Sequence, residues 1–420
     1  MRICFISNLF PPYGRGGAER VVEEEALALK ALGHDVSIIT ACSLPEDGSL
    51  EPRMTVENGL RVHRFFPLNF FFYGELGRHA VAARLFWHLR DSGNGQAARM
   101  VERLLRLERP EIVHTHNLKG IGFSIPAVLK KLRIRHVHTL HDVQLVAPSG
   151  LILKGKEKGF GVTDPLSRMF ASMARSRFAS PDIVISPSRF LLRFHEEHGF
   201  FPRSQKILLP NPAPNVSPAK HATSSETRFL FLGQVETHKG VLVLIEAFRR
   251  LVKERPKARL DVVGTGSAMD AARTAAGKDL RISFYGKKNP AQFPDMFSKT
   301  DYTVVPSLCY ENAPTVIVES FAYGVPVAVA SIGGAAELVR NEKNGFVFEA
   351  DNVGALVATL TRACDEKSAW MDRSRAAVRT AELLLAPRHA ARLESLYDGR
   401  DPALEELEPI VPMRYQPSFT

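Results

Sequence analysis

The sequence repeatedly places a short, β-rich apolar segment before a helix-like amphipathic segment. The first unit starts at Arg2–Ser7 and returns to a second strand at Asp35–Thr40. After a stretch rich in Pro, Ser, Ala and Thr at 212–226, the pattern restarts at Arg228–Gly233. Alternation of this kind predicts an α/β fold with two Rossmann-like doubly wound parallel sheets. Further strands are predicted at 110–117, 136–143, 181–186, 207–212, 258–264, 281–286, 301–306, 326–331 and 345–349.

The length of the chain indicates two domains. At 420 residues it exceeds the size at which a single hydrophobic core stops growing. The composition, with 45% hydrophobic and 24% charged residues, is that of an ordinary globular protein. Residues 212–226 are the best linker candidate, so we predict an N-terminal domain over 1–211 and a C-terminal domain over 227–385.

The net charge of +10 is unevenly distributed. Residues 1–215 carry 29 Lys and Arg against 20 Asp and Glu, whereas residues 216–420 carry 26 against 25. A basic first half suggests an anionic partner, either a membrane surface or a phosphorylated acceptor, and a merely solvated basic surface is the equal alternative. Because no nucleic-acid-binding motif accompanies the charge, we expect no nucleic-acid partner.

The N-terminal segment, the lengths of the apolar runs and the cysteines indicate in which compartment the protein acts. The N-terminal apolar segment is too short for a signal peptide, and no apolar run reaches the length of a membrane span. Cys4, Cys42, Cys309 and Cys364 show neither CxxC nor metal-ligand spacing, which predicts reduced thiols. We therefore expect a cytoplasmic protein that could lie peripherally on the inner face of the membrane.

Two glutamates, Glu311 and Glu319, follow the predicted strand 301–306. Pro314 suits the first turn of a helix, and Gly324 suits its end. If residues 311–319 were all helical, the two carboxylates would lie about 80° apart around the axis and could face one elongated ligand. A helix N-terminus between them would attract phosphate. This pattern is expected of a nucleotide-sugar site; a surface helix with a solvated Glu319 is the alternative.

Two further features could contact the same ligand. Gly16 and Gly17 open a predicted helix, where glycine lets the backbone approach a phosphate or sugar closely. They do not form a GxGxxG motif, which disfavours a dinucleotide dehydrogenase. Lys239 lies at a strand–helix turn and can direct its ammonium at a diphosphate. Taken singly, these residues are equally consistent with an ordinary turn and a surface lysine.

His116 and His141 are predicted just past the carboxyl ends of two parallel strands. Ligands bind at that edge in open α/β sheets. A histidine there can hydrogen-bond a sugar hydroxyl or shuttle a proton. Metal binding is disfavoured because the HxH spacing lacks a third ligand, so no metal site is predicted.

Residues 61–90 combine aromatic clusters with arginines. Such aromatic density usually marks a core, yet Pro67, Asn69 and Gly74 interrupt any regular periodicity. Our hypothesis is an interfacial surface that receives a lipid-linked or extended acceptor, with Phe71 and Phe72 among its contacts.

The segment 147–164 contains four glycines and has lysines at positions 154, 156 and 158. Glycine-rich polar segments without periodicity are typical of loops. We therefore predict a mobile surface loop here.

Together these motifs resemble the retaining glycosyltransferases of family four, whose GT-B fold has two Rossmann-like domains facing across a cleft. The most specific match is Glu311-Asn-Ala-Pro-Thr-Val-Ile-Val-Glu319, which looks like the family's Glu-x7-Glu motif and is followed by Gly333 and Gly334. The resemblance covers most of the chain, from position 11 to about position 349. Supporting matches lie at 11–20, 139–142, 210–212 and 233–240 and in the loop around His116.

The resemblance implies a role for each motif residue. Glu311 would contact the donor sugar near the reacting carbon, Glu319 would bind the ribose hydroxyls, and Lys239 would neutralise the diphosphate. Gln234 stands where the family commonly has Arg, so phosphate stabilisation would rest more heavily on Lys239. The expected donor-binding residues are Gly16, Gly17, Gln234, Lys239, Asn312, Pro314, Thr315 and Glu319. The expected catalytic residues are Glu311 and His116, with His141, Phe71 and Phe72 as acceptor or sugar contacts.

The implied reaction is metal-independent hexosyl transfer from a UDP- or GDP-linked sugar to a saccharide or lipid-linked acceptor in cell-surface glycan assembly. The nucleotide sugar is a co-substrate, and no cofactor is expected. A helix over 386–400 would cross back to the N-terminal domain, and 401–420 would form a tail. A non-catalytic nucleotide-sugar-binding partner and a nucleotide-sugar epimerase are alternatives. A phosphorylase is disfavoured, because it would need a pyridoxal phosphate lysine and usually a longer chain.

Overall fold

Each half of the chain is organised around one sheet. The structure, a computed structural model, describes residues 1–14, 16–159, 161–221 and 224–400. The strands of the first sheet are β1 (Arg2–Ser7), β2 (Asp35–Ala41), β3 (Arg53–Glu57), β4 (Leu60–Phe65), β5 (Ile112–Thr115), β6 (Arg135–Thr139), β7 (Ile183–Ser186) and β8 (Gln205–Leu208). Their spatial order is β3-β4-β2-β1-β5-β6-β7-β8. All neighbours are parallel except β3 and β4, which form an antiparallel hairpin.

The second sheet contains parallel strands only. They are β9 (Thr227–Leu232), β10 (Ala258–Val263), β11 (Ile282–Phe284), β12 (Tyr302–Val305), β13 (Val327–Ala330) and β14 (Gly345–Phe348). Their order is β11-β10-β9-β12-β13-β14. The predicted α/β fold with two parallel sheets is therefore confirmed.

Helices connect the strands in both halves. In the first half they are α1 (Gly17–Ala31), α2 (Val81–Ser92), α3 (Gly95–Glu108), α4 (Ile125–Leu132), α5 (Pro165–Phe178) and α6 (Arg189–Glu197). The later helices are α7 (Val241–Leu251), α8 (Met269–Ala276), α9 (Phe293–Ser298), α10 (Thr315–Ala322), α11 (Val353–Asp365), α12 (Trp370–Glu382) and α13 (Ala386–Tyr397). None of the helices in the described part of the chain has both the length and the apolar character to cross a bilayer.

The last helix, α13, packs on the first half. Its buried residues Ala390, Leu393 and Leu396 belong to the same apolar cluster as residues of β1 and α1. The guanidinium of Arg135 donates to the carbonyl of Tyr397 at 2.6 Å. The chain thus returns to the first sheet after completing the second. The tail predicted at 401–420 lies outside the described residues.

Candidate active site

The two motif glutamates lie on a loop and on the helix that follows it. The buried strand β12 leads into this loop, and α10 begins at Thr315 with Pro314 as its N-cap. Residues 311–314 are therefore not helical, so the predicted 80° helical relation between the two carboxylates does not hold. Glu319 lies in the second turn of α10, and Gly324, at a φ of +79°, follows the helix end as predicted.

Glu311 forms an ion pair with Lys239. The Lys239 ammonium donates to Oε1 of Glu311, and the Ser307 hydroxyl donates to the same oxygen at 3.0 Å. Burial alone would raise the pKa of Glu311, but Lys239 and Ser307 outweigh it and hold this pKa below its ordinary value. Burial would likewise lower the pKa of Lys239, yet Glu311 raises it overall. Both groups are therefore charged at neutral pH.

A tight turn places Lys239 next to this loop. Gly240 follows it in the left-handed region, at a φ of +74°. A Cβ at this position would overlap the carbonyl of Pro306, which precedes the motif. Glycine is thus required both by the conformation and by the close approach of two backbone segments.

Glu319 is buried and pairs with Arg20 of the first half. Nη1 of Arg20 lies 2.7 Å from Oε1 of Glu319. Burial raises the pKa of Glu319, and Arg20 offsets part of that rise. Arg20 was not singled out from the sequence, although it lies one turn after Gly17 on α1 and therefore on the same side of that helix.

The N-termini of α1 and α10 lie close together. A Cβ placed on Gly17 would lie 2.8 Å from Cγ2 of Thr315. Gly16 is the N-cap of α1 and donates its N–H to Oε2 of Glu19 at 2.9 Å. Two helix N-termini from different halves thus converge beside Glu319, and each attracts anions.

Two more of the expected donor-binding residues, Gln234 and Asn312, lie in different surroundings from each other. Gln234 is exposed just past the end of β9. Asn312 instead faces the first half: its Oδ1 accepts from the Ser188 hydroxyl at 2.6 Å, and its Nδ2 donates to the carbonyl of His141 at 3.1 Å. These bonds occupy the side-chain amide, so the predicted donor contact of Asn312, which would use its backbone N–H, stays a prediction.

His116 has no exposed surface. Its Nδ1 lies 2.8 Å from Nε2 of His141, and its ring stacks on Phe5. Burial among other imidazoles lowers its pKa well below the ordinary value. The predicted contact of His116 with a sugar hydroxyl stays a prediction. The half-buried His141, whose pKa burial lowers to about 4, is the neutral imidazole nearer to solvent.

Glu25 joins this cluster from α1. Atoms of Glu25, His114 and His116 that could bind a metal ion lie within 4.8 Å of one another. Glu25 is the third ligand that the sequence did not reveal. Both nitrogens of His114 are already bonded, to the Tyr397 hydroxyl at 2.6 Å and to the Thr139 hydroxyl at 2.7 Å. We therefore interpret the cluster as a buried hydrogen-bond network closed by α13.

The aromatic segment is exposed at other residues than expected. Phe72 is buried edge-on against Tyr13, and Phe71 stacks on His79 with ring centroids 3.7 Å apart. Phe72 is thus part of the core, whereas Phe71 is half-buried, and their acceptor contacts stay predictions. The most exposed large apolar side chains among the described ones of this segment are Phe70 at 66% and, on α2, Phe86 at 61% and Leu89 at 53%.

The segment 147–164 is not a detached loop. Ile152 and Val162 are buried in the core of the first half. The N–H of Lys154 donates to the carbonyl of Leu308, and the N–H of Tyr310 donates to the carbonyl of Ile152, both at 2.9 Å. This segment therefore forms a short antiparallel pairing with the chain just before Glu311.

Two family models match adjacent parts of the chain. The model described as "Glycosyltransferase Family 4" matches residues 15–214, and "Glycosyl transferases group 1" matches residues 215–381. The boundary between the two models falls inside the segment that separates the two sheets.

Proteins with related sequences and structures carry glycosyltransferase names. Glycogen synthase of Mycobacterium tuberculosis is 27% identical over 392 residues, 90% of this chain and 89% of that protein. The Escherichia coli UDP-Gal:alpha-D-GlcNAc-diphosphoundecaprenol alpha-1,3-galactosyltransferase is 25% identical over 286 residues, 63% of this chain and 69% of that protein. The structure of Anabaena Alr3699/HepE in complex with UDP aligns with a TM-score of 0.67 at 17% identity, covering 95% of this chain and 100% of that chain.

Proposed function

Because the chain is a glycosyltransferase with the GT-B fold, we propose that it is a retaining enzyme of family four. In this proposal it moves a hexosyl group from a UDP- or GDP-sugar to a saccharide or lipid-linked acceptor in cell-surface glycan assembly. The half over 1–211 takes the acceptor and the half over 227–385 takes the donor. The observation that carries the proposal is the Lys239–Glu311 pair beside the N-terminus of α10.

The charges at this site suit the chemistry of a sugar–diphosphate bond. Breaking the bond leaves negative charge on the phosphate and oxocarbenium character on the sugar. Lys239 and the free N–H groups of α10 stabilise the phosphate, and the ionised Glu311 lies beside the sugar. An ammonium has three N–H donors, so Lys239 can hold Glu311 and a phosphate oxygen together. The reaction then needs no divalent metal.

Glu319 supplies the other end of the donor site. A buried carboxylate that keeps one partner, Arg20, can still accept hydrogen bonds from two ribose hydroxyls. The name of the Anabaena structure records bound UDP, which favours a uridine donor, and the name of the Escherichia coli relative records a diphosphoundecaprenol-linked acceptor. Both are consistent with a nucleotide-sugar donor and a lipid-linked acceptor for this chain.

Turnover of candidate donors tests the proposal. UDP-glucose, UDP-galactose and GDP-mannose are each incubated with the protein, with and without a membrane lipid extract and with EDTA, and nucleotide release is measured. We expect EDTA-resistant release that Glu311→Ala and Lys239→Ala each lower at least roughly 100-fold. Release that survives both substitutions would refute the site, and donor binding without release by the wild type would favour the non-catalytic alternative.

We also propose that the first half contacts an anionic membrane surface from the cytoplasmic side. Phe86 and Leu89 lie one turn apart on α2, and Phe70 lies beside Arg90, whose guanidinium is 5.9 Å from the centre of the Phe70 ring. Arg78 is exposed on the same stretch of chain. Exposed aromatic and aliphatic side chains next to arginines suit the interface of anionic lipids.

Vesicle flotation tests this contact. The paired substitution Phe70→Ser with Phe86→Ser should reduce binding to phosphatidylglycerol-containing vesicles. The matched control is Leu280→Ser, since Leu280 is the most exposed large apolar side chain of the second half, at 94%. Equal flotation of the paired variant, the control and the wild type would disprove the membrane contact.

A further inference from the structure

The loop that carries Glu311 is held by the opposite half of the molecule. Tyr310, Asn312 and Ala313 each form a hydrogen bond with a residue of the first half. For Ala313 the contact is its carbonyl, which accepts from Nδ2 of Asn211 at 2.9 Å. The Glu311 carboxylate, in contrast, contacts Lys239 and Ser307 of its own half.

Tyr310 contacts the first half with its backbone, its ring and its hydroxyl. Its N–H donates to the carbonyl of Ile152 at 2.9 Å. Its ring stacks on Phe190 with centroids 5.5 Å apart, and its hydroxyl donates to Oε1 of Glu157 at 2.8 Å. These contacts fix the residue before Glu311 in position and orientation.

Asn312 fixes the residue after Glu311. Its amide bonds to the Ser188 hydroxyl and to the carbonyl of His141, which follows β6 at the carboxyl edge of the first sheet. A Cβ on Gly334 would overlap both the Asn312 carbonyl and the Ser188 side chain. The backbone of the motif is thus packed closely against Ser188 of the first half.

We propose that Tyr310 and Asn312 are positioning residues through which the first half sets the position of Glu311. The inference rests on the proposed role of Glu311 at the donor sugar. Because the residues on both sides of Glu311 are bound by the first half, its carboxylate reaches the working position only when the halves are packed as described. The half that takes the acceptor thereby assembles the reacting site of the half that takes the donor.

Two substitutions test this role. Tyr310→Phe keeps the ring on Phe190 and removes the hydroxyl bond to Glu157, and Asn312→Ala removes the amide. The donor is UDP-glucose or GDP-mannose, whichever raises the melting temperature more. We expect kcat to fall roughly 10-fold for Tyr310→Phe and roughly 100-fold for Asn312→Ala, since small misplacements of catalytic groups have large effects. The dissociation constant for UDP or GDP should stay within about 2-fold, because the residues proposed to hold the nucleotide are untouched.

Tyr302→Phe is the matched control. It removes a tyrosine hydroxyl bonded to Arg373 within the second half, so it reports the cost of losing such a bond without touching the opposite half. Its kcat should equal that of the wild type even if its melting temperature falls. A second measurement is a double-mutant cycle: Glu157→Ala should lower kcat as much as Tyr310→Phe, and the combination should lower it no further.

The outcomes separate this inference from the proposed function. If Glu311→Ala keeps full turnover, the proposed role of Glu311 fails. If Glu311→Ala is inactive while Tyr310→Phe and Asn312→Ala keep the kcat of Tyr302→Phe, only the positioning role is overturned.

Discussion

The carboxyl edges of the two sheets carry opposite kinds of polar groups. At the first sheet, His114, His116 and His138 are buried and neutral, because burial lowers the pKa of each well below its ordinary value. At the second sheet, Glu311 and Lys239 are charged and paired, and part of each side chain is exposed. At the first edge His114 bonds to Tyr397 of α13 at 2.6 Å, whereas the second edge meets the N-termini of α1 and α10.

This difference indicates where a ligand can act. Neutral polar groups buried away from solvent are held by internal contacts, while charged pairs at an accessible edge can exchange partners with a ligand. Equivalent positions in two similar sheets therefore serve different purposes. The first edge maintains the packing of its own half, and the second is the candidate site of chemistry.

The largest expected effect is acid unfolding of the first half. Burial lowers the pKa of His136 to about 3 and of His195 to about 4, below the unfolded value near 6.5. Stability from these groups is present above about pH 6.5 and is lost as pH falls toward the native pKa values, by about 1.4 kcal/mol per pH unit for each histidine. The first half contains eleven histidines within residues 1–211, whereas 227–385 contains His238 alone.

The two tryptophans report the halves separately. Trp370→Phe leaves Trp87 in the first half, and Trp87→Phe leaves Trp370 in the second. Between about pH 7 and about pH 5, fluorescence melts should show the Trp87 transition moving to lower temperature by more than the Trp370 transition. Equal shifts of both transitions would show that acid sensitivity does not distinguish the halves.

Lys239→Ala should produce the next largest effect. Removing the ammonium that faces the leaving phosphate should lower kcat/KM roughly 100- to 1,000-fold. It should also raise the pKa of Glu311, whose burial is then uncompensated, so residual activity should decline on the acid side at a higher pH than in the wild type. Steady-state rates across pH check both effects, with the exposed Lys257→Ala as control. If the activity of Lys239→Ala declined at the same acidic pH as that of the wild type, the pairing of Lys239 with Glu311 would be contradicted.

Gly17→Ala should have a smaller effect at the junction of the halves. A methyl group there meets Cγ2 of Thr315 at 2.8 Å, which should push the two helix N-termini apart and raise the donor KM about 10-fold. Adding Thr315→Ser removes the obstructing methyl group and should restore most of the loss. Failure of the second substitution to restore KM would place the defect elsewhere than in this contact.

The sequence predicted the two parallel sheets, because alternating apolar and amphipathic segments determine them. It did not predict β3 and β4, part of which lies in the segment 61–90 that was interpreted as an interfacial surface. Helix α13 (Ala386–Tyr397) lies within 386–400, the segment predicted as the crossing helix. The strand that precedes the motif and the helix end at Gly324 were also predicted, since short-range sequence patterns determine both.

Contacts between the halves could not be predicted. Arg20 and Glu319 are 299 positions apart, and no local pattern links them. His116 was expected at a ligand site because it ends a strand, but α1 and α13 cover that edge. The bond between the Asn312 amide and Ser188, 124 positions away, likewise follows from no local pattern.

The account is tested most directly by the donor kinetics of Glu311→Ala compared with those of Glu319→Ala. If Glu319 binds the nucleotide and Glu311 acts at the transferred sugar, Glu319→Ala should mainly raise the donor KM and Glu311→Ala should mainly lower kcat. The reverse pattern, or unchanged constants in both variants, would contradict the assignment of the second sheet's charged edge as the donor site.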